Sequence, residues 1–197
     1  EPGRHYWRIT QWIMPWYTMV PPYGDNALNG HAWVPIDDEN CFAWSFTYHP
    51  TRPLSEEEIA TMEEGGGIHV RYVPGTFRPL INKDNDYMMD RAAQKARRFY
   101  SGVESIAIQD ASVQESMGPI ADRTRENLVS TDNAIIMARY RLRKAALELR
   151  DGVEPPGLEA KCHAVRSAAF VLDADQQFQS EKADELIARA GVPHTSI

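Results

Sequence analysis

Two runs rich in aromatic and β-branched residues, Asn29 to Ile36 and Cys41 to His49, flank the polar stretch Asp37-Asp38-Glu39-Asn40. No other feature restricts the fold so tightly. The pattern commits the chain to an antiparallel hairpin, and its register decides which side chains share a face. With Asp38 and Glu39 as the central turn residues, Phe42, Trp44, Phe46 and Tyr48 share a face with Pro35, Trp33, His31 and Asn29. The opposite face then carries Ala43, Ser45 and Thr47 with Val34, Ala32 and Gly30. One face is bulky and aromatic, the other small. Such an aromatic face either packs under helices or lines a pocket for a flat aromatic ligand. In this register His31 and His49 point to opposite sides of the sheet and do not pair as metal ligands unless a bulge intervenes.

The second constraint is the stretch Val103 to Met117, VESIAIQDASVQESM. Written as a helix, it places Val103, Ile106, Asp110, Val113 and Met117 on one stripe, with Ile120 continuing it. Every member is apolar except Asp110. An ionised carboxylate on a buried stripe costs on the order of several kcal/mol unless a cation or hydrogen-bond donors meet it. Asp110 is therefore a candidate metal ligand, or else one half of a buried salt bridge or an acceptor satisfied by N–H groups.

Around these two features the chain reads as strands first and helices later. His5 to Ile13 and Trp16 to Val20 have strand composition, interrupted by Pro15 and closed by Pro21-Pro22. Ser55 with Glu58 forms a capping-box pattern for a short helix to Glu64, which Gly65-Gly66-Gly67 ends. Residues 68–86 form a long loop with a strand-like Ile68 to Val73, and long loops in compact domains are more often functional than idle. Tyr87 to Arg98 is helical and basic. A long helix runs from about Thr131 to Arg150, capped by Ser130, with an apolar seam of Ile135, Ala138, Leu142, Ala145 and Leu149. The tail has an extended Ala164 to Leu172 and a helical Asp175 to Ala190.

Several classes fall away. The net charge of −7 and the lack of a basic block give no nucleic-acid surface. No apolar run approaches the roughly 20 residues of a spanning helix. The glycine run lacks the context of a phosphate loop. Cys41 and Cys162, far apart and outside any CxxC, read as cytosolic thiols rather than a disulfide framework. His5, His69, His163 and His194 have no metal-ligand spacing, so no complete metal site is visible.

The strings ITQWIMPWYTMVPPYGDNALNGHAWVPIDDENCFAWSFTYHP, NKDNDYMMDRAAQK and IAIQDASVQESMGPIADRTRE resemble the phthalate 4,5-dioxygenase type of Rieske non-haem iron oxygenase, QDASVQESMGPIADR above all. The resemblance spans nearly the whole chain but corresponds only to the C-terminal half of such an oxygenase subunit. It implies an α+β fold, part of a helix-grip catalytic domain in which helices wrap a curved antiparallel sheet. In that family two histidines and a carboxylate hold a mononuclear Fe(II). Gln109-Asp110 matches the place of the carboxylate, which makes Asp110 the implied iron ligand; Arg123 or another basic residue is its expected partner if the residue is merely ion-paired.

Two family signatures are missing. Neither the CxH…CxxH pair that binds the Rieske 2Fe–2S cluster nor the DxxHxxxxH segment that supplies both iron histidines is present. The resemblance therefore implies that residues 1–197 are the C-terminal portion of an oxygenase catalytic domain, inactive alone. Its parent would be cytoplasmic and would hydroxylate or O-demethylate an aromatic carboxylic acid. It would use O2 and electrons from a reductase, and would assemble as a homo-oligomeric ring. The competing expectations are a helix-grip module that binds small molecules without catalysis, and a truncated reading frame with no function of its own.

Overall fold

A computed structural model describes residues 2–22, 24 and 26–188. The chain folds as an antiparallel α+β structure of the helix-grip kind expected. Strand β1 (Arg4–Ile9) pairs with the late strand β6 (Ala168–Asp173) in a two-stranded sheet. Strands β2 (Gln11–Ile13), β3 (Tyr17–Val20), β4 (Leu28–Pro35) and β5 (Cys41–Tyr48) follow one another in a four-stranded sheet. The two sheets are tied where Ser167 Oγ donates to Val20 O at 2.9 Å. Ala168, Phe170 and Leu172 alternate into a core against Trp7, Ile9, Phe178 and Leu186, the period of two expected of a strand covered on one face.

The hairpin forms, but its register differs from the sequence expectation by one residue. Leu28 faces Tyr48, Ala32 faces Trp44 and Val34 faces Phe42. The cause lies at the turn. The backbone N–H groups of Ile36 and Asp37 both donate to Asn40 O, at 2.9 and 3.3 Å. Two donors opposite one acceptor are the mark of a β-bulge. Asp37 stabilises it by accepting from Glu39 N and Asn40 N at 2.8 and 2.7 Å. The extra residue flips one strand's faces relative to the other. Phe42, Trp44, Phe46 and Tyr48 thus share a face with Leu28, Gly30, Ala32 and Val34. His31 and Trp33 stand with Ala43, Ser45 and Thr47 instead.

Helix α1 (Glu56–Glu63) carries the expected capping box: Ser55 Oγ accepts from Glu58 N, and Glu58 Oε2 accepts from Ser55 N. Gly65, at φ +77°, closes the helix in the left-handed conformation that a glycine C-cap supplies. Arg52 grips both Glu58 oxygens, at 2.8 and 2.9 Å. These contacts hold the Glu58 carboxyl down at about 2, the arginine hydrogen bonds contributing most. A depressed carboxylate stabilises the fold above its unfolded value and stops doing so as pH falls through its folded one. Between about pH 4.5 and 2 the wild type is therefore expected to lose melting temperature that Glu58→Gln does not lose. Parallel acid melting curves for the two proteins would refute this.

The later helices are shorter or more exposed than the sequence suggested. The basic segment yields only α2 (Arg91–Lys95), preceded by a 3-10 turn over Lys83–Met88. Helix α3 (Ile106–Glu115) starts after Ser105, whose φ of +74° breaks the helical phase. Val103 is fully buried, yet Ile106, Val113 and Met117 are 57, 61 and 57 % exposed. The helix buries Ile108 and Ser112, nearly opposite the expected stripe. Helix α4 (Asn133–Arg150) follows a 3-10 turn at Ser130–Asp132 and buries only Ala145 of its expected seam. In the tail, α5 (Phe178–Glu181) and a 3-10 turn at Ala183–Leu186 replace a continuous helix. The expected helix end at Ala190 and the residue His194 lie outside the described residues. No described helix is long and apolar enough to cross a membrane.

Candidate functional site

A cavity of about 520 Å³ opens between the edge of β5, the segment after Gly67 and α3. That volume lies within the range of small-molecule clefts. Ser45 Oγ donates to Ile68 O at 2.7 Å, fastening the segment after the glycine run to the sheet. Phe42, Trp44 and Phe77 form a mutual cluster on the wall, with centroids 5.5 to 5.9 Å apart. Trp33 approaches from the other face of the hairpin, stacked on His31 at 5.4 Å. Aromatic residues from both faces therefore reach the cavity at the sheet edge, a placement that neither expectation for the hairpin contained.

The polar side is built from α3 and two histidines. Asp110, Gln114 and Glu115 face the cavity from one side of the helix, with Ala107 and Ala111 between them. Tyr87 lies beneath, packed with Val103 and Ile108, and its hydroxyl donates to Glu115 Oε2. Three consecutive non-glycine residues, Asp86, Tyr87 and Met88, have φ near +50°. Such backbone is costly and gathers at functional sites; here it carries Tyr87 to the cavity floor. Burial, together with the Glu115 carboxylate, pushes the Tyr87 phenol up to about 12, so it remains a hydrogen-bond donor at neutral pH.

Asp110 is exposed, so the burial argument that singled it out does not hold. It does line the cavity, and it forms no ion pair or hydrogen bond among the described residues. Arg123, its expected partner, instead meets Glu126 at 2.9 Å. Burial lowers the pKa of His31, and the Asp110 carboxylate offsets part of that shift. His69 is lowered in the same way, with the neighbouring His31 adding to the effect. The structure thus brings His31 to His69, a pairing that sequence reasoning missed. His49 lies beyond β5 with its Nδ1 toward Thr51 N, and it does not line the cavity. The alternation of Ser45 and Thr47 on one strand face was the available signal, since both hold the segment containing His69.

Among the described residues, no three His, Cys, Asp or Glu side chains converge to hold a metal. Asp110 offers one hard oxygen donor, uncommitted and accessible. The donor set fits one corner of a three-ligand site.

The architecture defines an α+β domain with an aromatic-walled cavity bordered by an acidic helix. The family described as "LigXa C-terminal domain like" matches residues 2–186, and the chain belongs to it, a family of Rieske oxygenase catalytic domains. The chain is 30% identical over 174 residues to the 3-chlorobenzoate-3,4-dioxygenase oxygenase subunit of Comamonas testosteroni, covering 81% of this chain and 40% of that subunit. It is 29% identical over 167 residues to the phthalate 4,5-dioxygenase oxygenase subunit of Pseudomonas putida, covering 84% of this chain and 37% of that subunit. The chain thus spans well under half the length of these relatives.

Proposed function

We propose that these residues are the C-terminal portion of the catalytic domain of a Rieske-type oxygenase. The complete subunit would hydroxylate or O-demethylate an aromatic acid in the cytoplasm with O2 and reductase-supplied electrons. The observation that carries this reading is the aromatic-walled cavity with Asp110, a carboxylate without a partner among the described residues, on its margin, in a chain of this family. Asp110 would supply the carboxylate to a mononuclear Fe(II), its histidine ligands and a 2Fe–2S cluster coming from other parts of the subunit. When bound, such iron supplies oxygen activation. Phe42, Trp44, Phe77 and Trp33 hold the flat ring and exclude water from it. Tyr87 keeps Glu115 engaged, which leaves Asp110 as the uncommitted anion of the helix. The parent would assemble as a homo-oligomeric ring.

Two measurements test this. The complete subunit with its reductase should incorporate an atom of labelled O2 into product, or release formaldehyde, with some member of a panel of aromatic acids. The 197-residue chain alone, loaded anaerobically with Fe(II), should retain less than one tight iron. Failure of the complete subunit on every acid would reject the reaction. One tight iron on the isolated chain would show that its own residues complete the ligand set.

A further inference from the structure

The cavity's polar wall also constrains what a guest must carry, resting on the reading of the cavity as a ring site. Among the described residues, none that lines it is Lys or Arg, while Asp110 and Glu115 place two carboxylates there. A ligand carboxylate finds no cation inside it. The hydrogen-bond chain behind His69 shows what is offered instead. His69 Nε2 lies 2.7 Å from Thr47 Oγ1, and Thr47 Oγ1 lies 2.6 Å from Asn29 Oδ1. The amide oxygen of Asn29 can only accept, so the single Thr47 hydrogen goes to it. Thr47 must then accept from His69, which places the ring proton on Nε2. Nδ1 is left as a lone pair. Burial and the adjacent His31 both oppose adding a second proton to the ring.

We propose that His69 is a specificity-determining residue whose Nδ1 accepts a hydrogen bond from a ring hydroxyl, so that the cavity selects phenolic rings. The acid group of such a ligand faces the solvent at the mouth, away from Asp110 and Glu115. Asn29 and Thr47 act as positioning residues, because they fix the tautomer without touching the guest.

The probes are 3- and 4-hydroxybenzoate against 3- and 4-methoxybenzoate, which keep the ring and the acid but lose the donor. Binding to the 197-residue chain is read by calorimetry and by quenching of tryptophan fluorescence. One hydroxybenzoate should bind about five- to tenfold tighter than its methoxy partner, the size of one neutral hydrogen bond. His69→Phe should bring that ratio to about one while both rings still bind. Thr47→Val should lower the ratio several-fold, and the 15N spectrum of His69 should lose its Nε2–H tautomer signature. Equal binding of each pair to the wild type, discrimination retained in His69→Phe, or an Nδ1–H tautomer in the wild type would overturn the assignment of His69 alone. Absence of binding by all four acids would overturn the ring-site reading as well.

Discussion

Asp110→Ala in the complete oxygenase subunit is expected to abolish product formation and to remove most of the mononuclear iron. The metal-free fold should stay within about 0.5 kcal/mol of wild type, as for other exposed substitutions. The two halves of that result have separate causes. On the proposed ligand set, removing the carboxylate would take away an anionic donor and leave two neutral histidines, which hold a divalent ion poorly. Stability should not suffer, because Asp110 is exposed and has no ion-pair partner among the described residues, and Ala suits a helix interior better than Asp. A structural salt bridge predicts the reverse, since losing half of a buried ion pair costs roughly 3–5 kcal/mol. Glu115→Gln is the control: it lines the same cavity, keeps an oxygen for the Tyr87 hydroxyl, and should leave iron content unchanged. The readouts are iron per subunit, melting temperature of the metal-free protein, and turnover. Normal iron and turnover in Asp110→Ala would end its assignment as a ligand.

Asp110 also shows how a sequence argument can fail on burial and still single out a residue that lines the cavity. The apolar stripe through Ile106, Val113 and Met117 exists, but α3 turns another face to Tyr87 and Val103. Periodicity reports that a helix is two-sided; it does not say which side this chain covers. The phase was set by Ser105, whose positive φ cannot be read from its neighbours. Local chemistry was more legible. The capping box at Ser55 and Glu58 formed as written, because both partners lie within one turn. The strands of the hairpin were also legible, and only the bulge was not. A bulge depends on which two N–H groups share one carbonyl, and Asp38-Glu39 at the turn centre is compatible with either choice. The meeting of His31 and His69 depends on that bulge and on the chain reversal at the glycine run, so it could not be seen from spacing.

The bulged register makes its own demand at Gly30, and Gly30→Ala is expected to destabilise the fold by about 3 kcal/mol, near the upper end for overpacking. Gly30 sits on β4 directly opposite Phe46 and also pairs with Met19 of β3. A methyl group there would lie 2.2 Å from the end of the Phe46 ring and 2.6 Å from Thr18 O. The ring can swing aside, but the carbonyl belongs to a paired strand and cannot. Part of the cost should therefore disappear when Phe46 is shortened, and part should remain. In a double-mutant cycle read by denaturant midpoint, Gly30→Ala should cost at least about 1 kcal/mol less in a Phe46→Ala background than in wild type. The unbulged hairpin predicts something different, because there Gly30 faces Thr47 and Phe46 lies on the other side of the sheet. The two substitutions would then be additive, and additivity within about 0.3–0.5 kcal/mol would reject the bulge and the face assignment that carries His31 to the cavity.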